Sequence, residues 1–416
     1  MIFSKLVLNG WRQFEEIDII FHPRLTIITG ANGAGKSTLL RLISQHYDWG
    51  QPLLSTPTYS KEGIVRYVSG LFPWLKNRAE SPSESVGKFI YSNGIEANLI
   101  VPAVSSIMYN VEIRPQPGVQ GLHIGSHRPV PTYQQVGNIP TNAIGAEQAY
   151  QIYHQEVIQR QQNAYTQFSP IYRMKEAIIS MATFGPGNRY VQRNEIVAKL
   201  FEDFKNVLSK TLPPSIGFKD ISIRIPDVII VTDTGDFVID AASGGLMSLI
   251  DLSWQIFLYA HDKKEFVITI DEPENHLHPS MQRALLNRLI SAFPNAQFII
   301  ATHSPFIVSS VKDSSVYVLG YNASAESSDS GVKARVSSLK LDRANKAGTA
   351  SEILRDVLGV PVTLPEWAEA DIRTIANEFQ IENLDSENIV LLRQRLIEAG
   401  LGEYYPEALR QIAGPQ

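Results

Sequence analysis

A run of residues near the start of the chain has the composition and spacing of a phosphate-binding loop. Residues 30–37, GANGAGKS, fit the pattern GxxxxGK[ST] and lie between an apolar stretch and an amphipathic one. In such loops the glycines let backbone N–H groups turn inward around phosphate oxygens, and the next helix presents its positive N-terminus. The residues expected to bind a nucleotide here are Gly30, Asn32, Gly33, Gly35, Lys36, Ser37 and Thr38.

Three side chains of this loop have distinct expected roles. We expect Lys36 to reach the β- and γ-phosphates, Ser37 to ligate Mg²⁺ and Thr38 to lie beside the α-phosphate. The alternative is a glycine turn that matches the pattern by chance. The strand pattern before the loop and the helix pattern after it favour the nucleotide site.

Two carboxylates follow an apolar run further along the chain. Residues 266–272 have the sequence FVITIDE, which places Asp271 and Glu272 at the carboxyl edge of a parallel sheet. We expect Asp271 to hold Mg²⁺, directly or through water, and Glu272 to act as general base on the attacking water. An acidic pair after a strand is often only a helix N-cap. Its combination with a phosphate loop favours the catalytic interpretation.

Two further segments fall in order with these motifs. His303 ends the next apolar run, within ATHSP at 301–305, where a neutral imidazole can contact the γ-phosphate and sense the nucleotide state. Residues 242–245, ASGG, precede an apolar helix, so Ser243, Gly244 and Gly245 can form an anion site at its N-terminus. Taken alone, each segment is more typical of a structural strand end or a Ser-capped helix.

The composition is that of a globular protein with a net negative charge. Of the 416 residues, 44% are hydrophobic and 19% charged, which leaves an ample core. The net charge of −5 argues against a uniformly basic nucleic-acid coat, though not against a local basic patch. Absence of cysteine excludes disulfides, cysteine nucleophiles and thiolate zinc sites. Without a signal-peptide pattern or a long apolar window, we expect a cytoplasmic protein with no membrane partner.

The pattern of elements changes along the chain. Alternating apolar residues predict strands over residues 3–28, and a helix is predicted over 37–46. Residues 47–140 favour antiparallel strands with long loops, and 145–210 favour long helices, including 147–168 and 191–208. Strands are predicted again at 266–270 and 298–301, and the tail from 351 is predicted to be helical.

The motifs, in this order, resemble those of the ABC ATPase superfamily. The opening NGWRQF at 9–14 and LTIITGANGAGKSTLL at 25–40 look like the RecF, SMC and OLD branch. The segments DEPENHLHP at 271–279 and ATHSP are similar to the AAA-type ATPases of OLD-like and Septu-like bacterial defence systems. The segment 242–245 looks like the ABC signature. The specific motifs lie within residues 1–48 and 238–312.

The resemblance implies an α/β fold and an organisation of the chain. It implies an ABC-type P-loop NTPase head with an antiparallel β subregion, a helical insert and a helical C-terminal tail. The expected divisions are an ATPase core at 1–48 and 211–320, a β-rich insert at 49–144, a helical insert at 145–210 and a helical extension at 321–416.

The resemblance also implies an activity and partners. ATP and Mg²⁺ are the expected ligands, and ATP hydrolysis is the expected reaction. In a homodimer or higher homo-oligomer, Ser243 of one subunit would face the γ-phosphate bound by another. The expected role is an ATP-gated regulator or scaffold in phage defence, acting with a separate, nuclease-like effector protein. The alternative is a RecF-like repair ATPase that binds DNA or RNA directly. A transporter subunit is disfavoured.

Some features depart from the family pattern or leave alternatives open. The signature has ASGGL where transporters have LSGGQ, and no Q-loop residue stands out. Gln120, Gln134 and Gln135 are the candidates. Arg128 follows a possible strand as a surface arginine or as a contact to nucleotide or partner. Basic and aromatic residues over 157–200 form either a nucleic-acid contact or ordinary solvated helix faces.

Overall fold

The computed structural model places most of the chain. The described residues are 1–47, 52–59, 65–68, 83–102, 106–128, 132–140, 143–323, 334–342, 348–358, 365–379 and 386–413. They fall into two compact units, Met1–Ile353 and Leu354–Gln416.

The strands and helices alternate unevenly along the chain. The strands are β1 Phe3–Asn9, β2 Phe14–Ile20, β3 Leu25–Gly30, β4 Leu53–Leu54, β5 Thr56–Tyr59, β6 Val65–Val68, β7 Ser83–Tyr91, β8 Glu96–Pro102, β9 Met108–Tyr109, β10 Glu112–Arg114, β11 Gly121–Ile124, β12 Phe218–Arg224, β13 Asp227–Thr232, β14 Phe237–Val238, β15 Phe266–Asp271, β16 Ala296–Ala301, β17 Ser315–Ala323 and β18 Ala334–Lys340. The α-helices are α1 Lys36–Ser44, α2 Ala146–Gln161, α3 Pro170–Phe184, α4 Glu195–Thr211, α5 Gly244–Ala260, α6 Pro279–Ala292, α7 Pro305–Val308, α8 Ala350–Glu352, α9 Glu366–Ala376, α10 Ser386–Glu398 and α11 Tyr405–Ala413.

An 11-stranded sheet dominates the first unit, in the order β10-β8-β7-β1-β2-β18-β17-β3-β16-β15-β11. One half, from β17 to β11, is parallel throughout. The other half pairs β10, β8, β7, β1 and β2 antiparallel. The predicted α/β fold class, with a phosphate loop after an apolar strand and an antiparallel β subregion, is confirmed.

The parallel half holds the most apolar strands. Every residue of β3 and of β16 is buried, and β15 is buried up to its last residue. Parallel strands covered on both faces need continuous apolar runs rather than alternation. The register aligns Ile28, Ala301 and Asp271 across these strands. The ends of β3, β16 and β15 therefore meet at one edge of the sheet.

The helical region is broken at places that the sequence analysis did not predict. A single helix over 147–168 was expected, but α2 ends before Asn163, whose φ of 57° is left-handed. The next helix, α3, begins at Pro170 and is capped by Ser169, whose side chain accepts a hydrogen bond from the backbone of Tyr172. Pro at the first helical position and Ser at the N-cap both favour a fresh start.

Two strands lie where the sequence analysis expected other structure. β11 lies within a region expected to be antiparallel, yet it pairs parallel with β15 at the sheet edge. β18 lies within the range expected as a helical extension, yet it joins the main sheet beside β2 and β17. Short strands gain their stability from long-range pairing, which local patterns do not reveal. The predicted domain divisions stay a prediction.

The second unit is a small helical cluster. Its helices α9, α10 and α11 enclose a core of Ala368, Ile372, Leu392, Leu396 and Ala408.

Within the described part of the chain, no helix combines the length and hydropathy that a bilayer crossing requires.

Candidate nucleotide site

The phosphate loop, residues 30–38, connects β3 to α1 and needs glycine at its bends. Gly30 and Gly35 have φ values of 141° and 100°, which side chains rarely adopt. A Cβ on Gly30 would collide with the backbone of Leu319, and one on Gly35 would collide with the ring of Phe14. The chain can therefore approach the sheet this closely only with glycine at both positions.

Lys36 is a buried cation without a carboxylate ion pair in the described part of the chain. Its side chain is 5% exposed. Its Nζ donates to the carbonyl oxygens of Gly30 at 3.0 Å and Ala31 at 3.3 Å, and it lies 2.5 Å from Nε2 of His303. Burial lowers the pKa of Lys36, against the opposing charges of Glu272 and Asp271. A buried cation is costly without an anion, so this arrangement suits a bound phosphate.

Ser37 and Asp271 form a pair of oxygen ligands. The hydroxyl of Ser37 donates to Oδ2 of Asp271 at 2.8 Å. The other carboxylate oxygen, Oδ1, is buried and has no hydrogen-bond partner among the described residues. Mg²⁺ commonly takes one or two protein oxygens and completes its shell with phosphate and water. The pair fits that ligand set, and the unpartnered oxygen would gain a partner.

Glu272 and His303 meet beside Lys36. The backbone N–H of His303 donates to Oε2 of Glu272 at 3.2 Å, and the imidazole Nε2 lies 3.6 Å from Oε1. Burial, and then the neighbouring Glu274, raise the pKa of Glu272 to about 8. Burial, and then the charge of Lys36, lower the pKa of His303. A carboxylate with a pKa near neutrality and an uncharged imidazole suit proton transfer and phosphate contact.

The signature segment, residues 242–245, lies at the N-terminus of α5. Ser243 caps α5, where the backbone N–H of Leu246 donates to its hydroxyl at 3.4 Å. Gly245 lies against the turn after β15, because a Cβ there would stand 2.8 Å from the carbonyl oxygen of His276. Among the described residues, no hydrogen bond or ion pair joins Ser243, Gly244 or Gly245 to the loop. The structure brings Lys36, Ser37, Asp271, Glu272 and His303 together, but not the signature.

None of the three glutamines considered for the Q-loop lies at this edge. Gln120 precedes β11, and its carbonyl oxygen accepts from the N–H of Val267 at the opposite end of the strands. The side chain of Gln134 binds the backbone of Gln167 and Ser169, near the start of α3. Gln135 is exposed.

The segment after β11, which contains Arg128, lies at the phosphate edge instead. Ile124 aligns with Ile270, so residues 125–128 follow the strand beside the acidic residues. The carbonyl oxygen of Ser126 accepts from the amide of Asn275 at 3.0 Å. Arg128 is only 8% exposed, so its interpretation as a surface arginine is wrong. The sequence signal for β11 is the short, mostly apolar run GLHI at 121–124, which is typical of a buried strand at the edge of a parallel sheet.

Most of the cations considered for nucleic-acid contact have acidic partners within the chain. The pairs are Lys175 with Asp240, Arg173 with Glu156 and Glu176, Arg193 with Glu195, and Lys199 with Asp203. Paired cations neutralise fewer phosphates than free ones, so these helices are a poor backbone-binding surface.

Two family models match the chain in the regions that build this site. An AAA domain matches residues 5–46, which contain the phosphate loop. An AAA ATPase domain matches residues 134–308, which contain the signature segment, the acidic pair and His303. These two stretches of the chain are similar to AAA-type ATPase domains.

Several known proteins are similar to this chain over much of its length. The Septu protein PtuA of Bacillus thuringiensis is 22% identical over 410 residues, covering 93% of this chain and 90% of that protein. The retron Ec83 probable ATPase of Escherichia coli is 22% identical, covering 80% and 74%. The Septu protein PtuA of Bacillus mycoides is 23% identical over 72% of this chain, and the chain spans only 37% of its length. The predicted similarity to Septu-like ATPases is confirmed.

Solved structures are similar at a lower level. The SMC head domain from Thermotoga maritima is 15% identical, covering 82% of this chain and 100% of that one, with a TM-score of 0.43. The fold of this chain is defined by the strand order and loop geometry described above.

Proposed function

We propose that this AAA-type chain binds ATP with Mg²⁺ and hydrolyses it to ADP and phosphate. The observation that carries the proposal is Lys36, a buried cation with neutral hydrogen-bond partners. It lies at the sheet edge where Asp271, Glu272 and His303 converge. A triphosphate supplies an anion that Lys36 can bind directly, in place of its neutral partners.

The proposed roles follow from the contacts. Lys36 and the backbone N–H groups of the phosphate loop hold the β- and γ-phosphates. Ser37 and Asp271 hold Mg²⁺, which withdraws charge from the phosphate oxygens when bound. Glu272 accepts a proton from water as the water oxygen attacks the γ-phosphorus, and the bond to the bridging oxygen of ADP breaks. His303 contacts the γ-phosphate as an uncharged imidazole.

A second subunit completes the proposed site. The signature segment presents the N-terminus of α5 and two glycines, a suitable environment for an anion. Among the described residues the segment shares no hydrogen bond or ion pair with the loop of its own chain, which supports a head-to-tail homodimer, in which Ser243 faces the γ-phosphate of the other subunit. Symmetry then gives two equivalent sites, the closed pairing that homo-oligomers favour.

The proposed biological role is an ATP-gated regulator in phage defence. The similarity to Septu and retron ATPases supports it. ATP favours the closed dimer, hydrolysis releases it, and a separate effector protein, proposed to be a nuclease, binds one state better than the other. Direct DNA binding has less support, because most of the candidate cations are paired within the chain.

Phosphate release by the purified chain tests the proposed activity. We expect slow, Mg²⁺-dependent turnover of ATP. Lys36→Ala should lose it because the phosphates lose their cation, and Glu272→Gln should turn over about a hundredfold more slowly because the general base is gone. The control is Lys199→Ala, an exposed lysine of α4, which should match the wild type. Wild-type turnover by either site variant would contradict the assignment.

A further inference from the structure

Glu274 is a buried carboxylate to which the proposed mechanism gives no role. It lies in the turn after the acidic pair, where its carbonyl oxygen accepts from the N–H of Leu277 at 2.8 Å. Its residue exposure is 9%. Burying a carboxylate is costly unless hydrogen bonds stabilise it, so its partners show what holds it there.

Those partners are three consecutive residues at the end of β16. One oxygen of Glu274, Oε1, accepts from the backbone N–H of His303 at 3.1 Å and of Ser304 at 3.0 Å. The same oxygen accepts from the hydroxyl of Thr302. A single carboxylate oxygen therefore holds the whole turn that carries the histidine of the site.

The same turn is tied to the strand that leads into the phosphate loop. The backbone N–H of Thr302 donates to the carbonyl oxygen of Ile28 at 3.1 Å, and the hydroxyl of Thr29 donates to the backbone carbonyl oxygen of Thr302 at 2.9 Å. Glu274 thus connects the turn after β15 to a backbone already fixed against β3. The ends of three neighbouring strands are held in one arrangement.

The position of both catalytic groups depends on this arrangement. The N–H of His303 is shared between Glu274 and Oε2 of Glu272. The ring of the same histidine lies 2.5 Å from the Nζ of Lys36. If the turn moved, the histidine would lose its place beside the lysine, and Glu272 would lose the donor that orients it.

We propose that Glu274 is the positioning residue of this site, holding the turn 302–304 so that His303 and Glu272 face the γ-phosphate together. The inference rests on the proposed ATPase activity. Glu274 lies beside the carboxyl group of Glu272, but it touches neither the phosphate loop nor, in the proposed mechanism, the phosphate or the attacking water. It acts through the hydrogen bonds of its carboxylate, and shape and acceptor capacity matter more than charge.

A pair of variants separates positioning from simple stability. Glu274→Gln keeps an acceptor oxygen at the same place, and we expect its kcat for ATP to stay within about fivefold of wild type. Glu274→Ala removes the acceptor, and we expect kcat to fall about a hundredfold, the usual cost of a small misplacement. KM for ATP should change less than about threefold, because the phosphate loop is untouched. Glu195→Ala, at an exposed carboxylate of α4, is the control.

Two patterns of results would overturn the inference. One is wild-type kcat in Glu274→Ala, and the other is an equal loss in Glu274→Gln and Glu274→Ala. If Glu274→Ala fails to fold, Thr302→Val removes one of the three donors and should lower kcat with KM unchanged. Wild-type kcat in that variant would also overturn the inference. If the wild-type chain had no ATPase activity, the proposed function itself would be wrong, and the role of Glu274 would fall with it.

Discussion

At the scale of single residues, the site shows how burial sets the chemistry of its groups. Lys36, Asp271 and Glu272 are polar side chains at an edge formed by apolar strands. In surroundings of low polarity, burying an unpaired charge costs free energy, and the attraction between two opposite charges is stronger than in water. The lysine therefore gains from a phosphate anion and the aspartate gains from a cation, which favours binding them together as ATP with Mg²⁺.

The same principle applies to His46, just after α1, and gives a prediction about stability. Its Nδ1 donates to the carbonyl oxygen of Ile43 at 2.9 Å, and its Nε2 accepts from the hydroxyl of Tyr91 at 2.6 Å. Burial lowers the pKa of His46 from its ordinary value of 6.5 to about 4. Between these pH values the unfolded chain binds a proton that the folded chain excludes, so this residue's stabilising contribution falls as the pH falls.

Urea unfolding between pH 7 and 4 measures this contribution. We expect His46 to reduce the free energy of unfolding by at most about 1.4 kcal/mol per pH unit below 6.5. His46→Gln, which can keep both hydrogen bonds without titrating, should show a correspondingly smaller pH dependence. The same slope in both proteins would contradict the assigned pKa.

At the scale of elements, a buried ion pair connects the helical region to the turn before the signature segment. Lys175 of α3 and Asp240 are 0% and 3% exposed, with Nζ 2.8 Å from the carboxylate. The ammonium also donates to the carbonyl oxygen of Gln134 at 2.6 Å. Since Asp240 lies three residues before Ser243, the pair anchors α3 to the chain that leads into α5.

Breaking this pair should destabilise the protein strongly. Lys175→Met leaves a buried carboxylate without its partner, which costs about 3–5 kcal/mol. The free energy of unfolding in urea measures the loss. Lys199→Met is the control, because its exposed pair with Asp203 is worth about 0.5 kcal/mol or less. An equal loss of unfolding free energy in the two variants would show that burial does not strengthen the pair of Lys175 with Asp240.

Sequence patterns predicted the elements that carry local signals. The apolar runs of β3, β15 and β16, and the loop between β3 and α1, could be assigned because their signals lie within a few residues. The break between α2 and α3 could not be placed, because it depends on one left-handed residue, Asn163. Helix propensity is a weak guide to where a helix ends when a single residue determines the boundary.

At the scale of the whole molecule, the contacts between distant segments were the part that sequence could not supply. The parallel pairing of β11 with β15 joins residues 121–124 to 267–270. That pairing places Arg128 inside the molecule, although it follows only a short strand pattern. Glu274 was also missed, because its three donors come from residues nearly thirty positions later.

We propose that two copies of the chain enclose ATP between the phosphate loop of one and the signature segment of the other. Glu272→Gln isolates this claim, because it should keep the binding groups while slowing hydrolysis. Sedimentation of this variant with and without ATP and Mg²⁺, read at both protein and nucleotide absorbance, is the most direct test. With ATP we predict at least a dimer that carries about one nucleotide per chain, a state that Lys36→Ala should not reach. A monomer under both conditions at micromolar protein, or a dimer that sediments free of nucleotide, would contradict the account.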